Sequence, residues 1–327
     1  MNEDWTGWVP FGIRWEASNP VIDWCDPGAR RLTEPFFDQA ISPSPQNAEP
    51  RRPYRVTSIE MLDHLQAIRP GLPPNGLILH MGRCGSTLIA RMLAASPENI
   101  VISEANILDS ILRAARRQPG MSQELAIRLL RGVVGALGQR RTGSEKHAVI
   151  KFTSRSILDL PLIHRAWPEA PWIFVYRDPL EVLVAHVGRA GAALPPGLAE
   201  AGLIDTDPAA ARGMPPTEFW ARVLASRCAA AWEFRDEGRS LLVNYAQLPQ
   251  FVWESLPGLF RMSCAPDDVE RMQATARFNA KDPSRIFTED GEVKRQAATA
   301  EMRALVDQLV MPHYQRLEER RRATPEL

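Results

Sequence analysis

From residue 76 onward, short apolar runs alternate with stretches of helical spacing. GLILHM (76–81), NIVIS (99–103), HAVIKF (147–152), PWIFVY (171–176) and RSLLVNY (239–245) read as strands, rich in β-branched and aromatic residues and apolar on both faces. Between them, apolar residues recur at three- and four-residue intervals over 86–93, 105–117, 121–140, 156–167, 179–190 and 217–236. Further helices are predicted over 267–277 and 297–320. Strands buried on both faces and joined through helices predict an α/β fold: a three-layer sandwich with a central parallel sheet flanked by helices. Ligands of such folds gather at the carboxyl ends of the strands.

Residues 1–75 lack this rhythm. They hold Trp5, Trp8, Trp15 and Trp24 among many prolines, and SPSPQNAEPRRP (42–53) reads as an exposed connector. TSIEMLDHLQAI (57–68) predicts a short amphipathic helix, with Thr57 or Ser58 as cap and Glu60 in its first turn. The tryptophans suit an acceptor platform, a partner site, or an arm that wraps the domain and buries its rings, the plainer use. The expected organisation is an arm over 1–75 and a main domain over 76–327. Pro- and Gly-rich residues 191–216 form its expected lid.

The first strand runs into the most informative stretch, LHMGRCGSTLIARML (79–93). Gly82 and Gly85 permit a tight turn, and helical spacing begins at Ser86. Strand, glycine turn and helix start together make a phosphate cradle. Unpaired N–H groups and the macrodipole favour an anion at the helix N-terminus. Arg83 adds a fixed charge, and Ser86 and Thr87 add hydroxyls. The triphosphate pattern G-x-x-x-x-G-K-[ST] is not met, because Ser86 follows Gly85 directly and no Lys stands between them. A second strand-to-helix junction, PWIFVYRDPLEVLVAHVGR (171–189), places Arg177 at a strand end and Arg189 about three helical turns on. A guanidinium grips phosphate bidentately. Asp178 and Glu181 are also within pairing range of Arg177 along the chain.

Composition narrows the classes. In 327 residues, Lys+Arg and Asp+Glu are both 39, which gives no footing to a general nucleic-acid binder or a polybasic anchor. Cys25, Cys84, Cys228 and Cys264 have neither metal-ligand nor disulfide-framework spacing. No apolar run reaches 18 residues, and MNEDWTGW carries no secretory pattern. A cytoplasmic enzyme without a metal site fits these features.

G-R-C-G-S-T (82–87) resembles the phosphosulfate-binding loop of the sulfotransferases, which use 3′-phosphoadenosine 5′-phosphosulfate (PAPS) and release its desulfonated product, PAP. R-D-P at 177–179 resembles that family's 3′-phosphate segment, in the expected order about ninety residues downstream. The resemblance runs through most of residues 76–295 and implies a P-loop-type sandwich. It also implies PAPS contacts at Gly82, Arg83, Cys84, Gly85, Ser86, Thr87, Arg177 and Arg189. NIVISEANILDSIL (99–112) is similar to the tyrosylprotein-type segment bearing a catalytic glutamate, which puts Glu104 in the base position. AVIKFTS (148–154) resembles the motif with a catalytic lysine, matched by Lys151. LLVNYAQLP (241–249) matches a nucleotide-contacting tyrosine at Tyr245. KDPSRIFTEDGEVKR (281–295) resembles the late loop closing over the nucleotide, with Ser284, Lys294 and Arg295 as contacts.

Two departures stand out. The family's serine eight residues after the arginine is Ala185, which removes a hydroxyl donor that Arg189 would replace. The histidine base of the cytosolic enzymes is Thr153, so Glu104 is the expected proton acceptor, with helix-end stabilisation as its simpler role. The expected reaction is in-line sulfuryl transfer from PAPS to a hydroxyl or amine, with Arg83 and Lys151 stabilising charge. The alternatives are a P-loop kinase and a catalytically degenerate PAP-binding scaffold. Peptide, glycan, lipid and small-molecule acceptors are all open, as is the oligomeric state.

Overall fold

The structure is a computed structural model that describes residues 4–16, 19–41, 53–118, 120–190, 202–204 and 206–324, without the side chains of 189 and 190. The chain opens with β1 (Val9–Glu16) and β2 (Asn19–Cys25), then α1 (Phe37–Ile41), β3 (Tyr54–Ser58) and α2 (Glu60–Ile68). The main sheet alternates with helices: β4 (Pro74–His80), α3 (Ser86–Ala95), β5 (Asn99–Ser103), α4 (Asn106–Arg117), α5 (Gln123–Leu137), β6 (His147–Lys151), α6 (Leu160–Ala166), β7 (Trp172–Tyr176), α7 (Pro179–Ala190), α8 (Pro208–Arg212), α9 (Pro216–Glu233) and β8 (Ser240–Asn244). The remainder is α10 (Phe251–Glu254), α11 (Leu256–Phe260), α12 (Pro266–Ala276), the hairpin β9 (Phe278–Asn279) and β10 (Asp282–Ile286), α13 (Gly291–Ala297), α14 (Ala300–Leu305) and α15 (Met311–Ala323).

The main sheet has five parallel strands in the order β5-β6-β4-β7-β8. From β4 the chain runs to the edge strand β5, returns to β6 beside β4, and then crosses to β7 and β8 on the other side; β4 is therefore central, and its carboxyl end faces the crevice where such sheets bind ligands. Helices cover both faces, and the strand interiors, including Leu77, Ile78, Ile150 and Phe174, are buried. The three-layer α/β sandwich expected from the alternation is therefore present. No helix among the described residues is long and apolar enough to cross a membrane.

The amino-terminal region departs from its aperiodic reading. β1, β2 and β3 form a three-stranded antiparallel sheet, with Val9 opposite Cys25 and Val21 opposite Ser58. Thr57 and Ser58 lie in β3, and α2 begins at Glu60 without a side-chain cap. Trp5, Trp8 and Trp24 are buried in one continuous cluster with the main sheet, and Trp24 Nε1 donates to Thr57 Oγ1 at 2.9 Å. Arg55 stacks over Trp8 and Trp5, 4.1 and 4.7 Å from their centroids. These three rings are core, where an acceptor platform would need exposed faces. Much of the expected lid, 191–201 and 205, lies outside the described residues.

Candidate active site

All five parallel strands end on one edge of the sheet. The residues that follow β4, β5, β7 and β8 there include Arg83, Glu104, Arg177 and Tyr245. A groove of about 700 Å³ opens along this edge and is lined by these four residues together with Ser86, Thr87 and Lys294. Its size is that of a small-molecule site.

The loop after β4 adopts backbone that favours glycine: φ is +92° at Gly82, +55° at Arg83 and +88° at Gly85. Gly85 cannot be replaced cheaply, because a Cβ there would stand 2.8 Å from the Tyr245 ring and 2.7 Å from Leu248. That absence of a side chain lets Tyr245 close on the loop. α3 then begins at Ser86, with its first-turn N–H groups directed out of the helix toward this end of the groove. Cys84 turns inward, its thiol donating to the Val175 carbonyl at 3.0 Å, and burial pushes that thiol up to about 11. Any contact from Cys84 to an anion therefore comes from its main chain.

Glu104 follows β5 in the left-handed region at φ +51°, with its N–H donating to the Lys151 carbonyl at 2.7 Å. This conformation strains a non-glycine residue, and the sheet bond holds it. Its carboxylate pairs with Lys151, which ends β6 fully buried, and Oε1 lies 3.4 Å from His80 Nε2. Burial opposes ionisation of Glu104, but the hydrogen bond from His80 and the Lys151 charge outweigh it and hold the carboxyl at about 2. Burial in turn pulls the Lys151 ammonium below its ordinary pKa, against the attraction of Glu104. Lys151 stands behind Glu104 and does not itself line the groove.

At the other end, Arg177 follows β7. Its Nε donates to Glu181 Oε2 at 2.6 Å and its Nη2 to Asp290 Oδ1 at 2.9 Å. Its guanidinium lies over the Tyr245 ring, 4.2 Å from the centroid. Of the two carboxylates near it in sequence, Glu181 is the partner, because one helical turn brings residue i+4 onto the same face. Lys294 pairs with Asp290 Oδ2 at 2.6 Å, and Arg295 pairs with Glu181. Burial lowers the Lys294 pKa, the neighbouring charges of Arg177 and Arg83 push the same way, and Asp290 opposes them. Cations from three segments thus meet along one groove.

Other candidates fall elsewhere. Ser284 is exposed on β10, with its hydroxyl on Asp282 Oδ1 at 2.6 Å, and does not line the groove. Gly82 lies behind the groove lining. Arg189 sits on α7 one residue past the groove-lining Gly188, but its side chain lies outside the described residues. Ala185 does line the groove. Thr153 donates to Asp109 Oδ1 at 3.0 Å and so is engaged away from Glu104. His80 and Asp290 lie within the site although neither occupies a motif position. The sequence signals are positional only: His80 stands two residues before Gly82, and Asp290 lies within the late segment 281–295 without being one of its expected contacts. No group of three metal-ligating side chains occurs among the described residues.

A model of the sulfotransferase family matches residues 77–262. Among solved structures, the chain resembles the sulfotransferase domain from the curacin biosynthetic pathway, at 16% identity over 73% of this chain and 98% of that one, with a TM-score of 0.45. The sulfotransferase domain of the Synechococcus PCC 7002 olefin synthase gives 16% identity, 77% and 96% coverage and a TM-score of 0.41. The sulfotransferase from Alicyclobacillus acidocaldarius gives 16%, 68%, 99% and 0.38. A search of curated protein sequences returns no match.

Proposed function

This chain belongs to the sulfotransferase family, and we propose that it moves a sulfuryl group from PAPS to a hydroxyl or amine acceptor in the groove at the carboxyl edge of its sheet. The observation that carries this reading is convergence: the Arg83–Thr87 loop, Glu104, Arg177 and Tyr245, which follow four different strands, border one groove. Arg83 and the α3 N-terminus suit the 5′-phosphosulfate, which supplies the sulfuryl group. Arg177 and Lys294 suit the 3′-phosphate, and Tyr245 closes the loop side of the nucleotide site. Arg189, on the same helix as Ala185, would supply a further 3′-phosphate contact in place of the missing hydroxyl.

In this reading the acceptor oxygen or nitrogen forms a bond to sulfur as the bond from sulfur to the 5′-phosphate breaks. The electron pair leaves with PAP, and the acceptor proton goes to Glu104. Arg83 and the loop N–H groups stabilise the leaving phosphate. Lys151 keeps Glu104 ionised and adds positive charge to the site from behind that carboxylate. A carboxylate held near pKa 2 is a weak base toward a free alcohol. It becomes competent as sulfur binds the acceptor oxygen and acidifies its proton. The chemistry needs no metal, and the absence of disulfide-framework spacing suits a cytoplasmic location.

Ala185 favours one second reading, a PAP-binding protein without turnover. Incubation with sulfur-labelled PAPS and fractionated metabolites separates the two. Label in an acceptor fraction, lost in Glu104→Gln, supports transfer. PAP binding with no labelled product from any fraction supports the silent binder.

A further inference from the structure

His80 is the last residue of β4 and is 4% exposed. The Gly82 N–H donates to its Nδ1 at 3.0 Å. A donor pointing at Nδ1 makes that nitrogen the acceptor, so the ring proton of the neutral imidazole sits on Nε2. Nε2 lies 3.1 Å from the Phe152 carbonyl and 3.4 Å from Glu104 Oε1, so one N–H faces two oxygens. The ring therefore touches both the turn of the phosphate loop, at Gly82 with φ +92°, and the strained backbone of Glu104, at φ +51°.

We propose that His80 is a positioning residue, a neutral imidazole protonated on Nε2 that ties the phosphate loop to the carboxylate of Glu104. The inference rests on the reading of Glu104 as the proton acceptor. The charged groups facing the ring agree with a neutral state: burial pushes its pKa down, Lys151 from β6 and Arg227 from α9 push the same way, and only Glu104 opposes. With Nε2 already protonated and Nδ1 engaged by Gly82, His80 cannot take a proton from Glu104. The proton that Glu104 accepts must leave through the groove. What His80 supplies is geometry, because a rigid five-membered ring fixes the spacing between loop and carboxylate at once. A phenyl ring fills the same space and loses both bonds. A glutamine keeps one donor and one acceptor.

The test uses the full chain with nitrogen-labelled histidine, its His80 resonances assigned by loss in His80→Gln. The tie predicts an unprotonated Nδ1 and a protonated Nε2 at neutral pH. A protonated Nδ1, or a charged ring, overturns it. In His80→Phe, the Glu104 carboxyl midpoint, followed by carbon NMR, should rise by about one pH unit or more, and PAP affinity should fall about tenfold. His80→Gln should recover most of both. A packing role alone lowers thermal stability in both variants and leaves the Glu104 midpoint unmoved, which would overturn the proposal even if the tautomer is as stated. Wild-type PAP titration keeps the two readings apart. No PAP binding with the stated tautomer defeats the donor assignment, whereas PAP binding with Nδ1 protonated defeats the tie alone.

Discussion

At the inner end of the groove, charge is held by buried groups with fixed partners: Lys151 is fully enclosed against Glu104, and His80 is wedged between Gly82 and the same carboxylate. At the outer end, Arg177 is also buried, but one of its partners is Asp290, whose side chain is 52% exposed and belongs to the late segment leading into α13. The inner end is assembled from the carboxyl edge of the sheet and has nothing to exchange. The outer end already holds a carboxylate on its cations, and an incoming phosphate would take that place. The difference separates a rigid region suited to chemistry from an adjustable region suited to grip. Electrostatic stabilisation of a transition state requires preorganised groups, whereas an exposed ion pair is weak enough to be traded.

Substitutions at the two ends should therefore fail differently. The largest effect is expected for Glu104→Gln, which keeps shape but removes basicity. Labelled-PAPS turnover should fall on the order of 10²–10⁴-fold while PAP affinity measured by calorimetry changes little. The variant should also be less stable, since it leaves Lys151 without a counter-charge. Normal turnover in the folded variant would reduce Glu104 to a structural carboxylate.

Lys151→Ala belongs to the same end. It should lower kcat by about 10²–10³-fold, lower stability by about 3–5 kcal/mol, and weaken PAP binding far less than it slows turnover. Equal losses in affinity and rate would move Lys151 to the gripping end.

Arg177→Ala tests the outer end. Loss of a charged contact should weaken PAP binding by roughly 2–4 kcal/mol. Unchanged affinity would remove Arg177 from the 3′-phosphate role. Asp290→Asn should act in the opposite direction, because it frees Arg177 and Lys294 from a competing carboxylate. PAP should bind about three- to tenfold tighter, and the gain should shrink as salt rises. Weaker binding in this variant would mean that Asp290 helps to hold the nucleotide.

The smallest effect concerns pH. Glu104 is held at about 2, below its ordinary 4.5. A carboxyl depressed by folding contributes stability that is present above pH 4.5 and is lost as pH falls toward 2. In denaturant titrations across that window, wild type should lose stability more steeply than Glu104→Gln. Parallel curves would place the carboxyl outside the His80–Lys151 cluster.

The parallel sheet was legible because each strand is a short apolar run closed by glycine, arginine or a helix start. The same regularity made Arg83, Glu104, Arg177 and Tyr245 visible as strand-end residues, and the groove gathers all four. The amino-terminal sheet was not legible. Pro10, Gly12 and Pro20 interrupt its alternation, and the second partner of β2, β3, lies some thirty residues away across the connector. His80 carries no residue-specific signal because its place in the site comes from contacts across the fold, with Phe152 and Glu104. Asp290 has meaning only beside Arg177, more than a hundred residues earlier in the chain. Ser284 shows the converse: it sits near the right motif, but its strand turns it to solvent and to Asp282.

The central claim is that this groove is built for a 3′-phosphorylated nucleotide without a divalent metal. Titration calorimetry of the wild-type chain with PAP in EDTA, set against ATP with Mg²⁺, tests it most directly. The account predicts PAP binding at low-micromolar Kd or tighter, unchanged by Mg²⁺, with ATP–Mg²⁺ far weaker. Tight ATP binding that requires Mg²⁺, with no heat from PAP, would contradict it and return the loop to phosphoryl transfer.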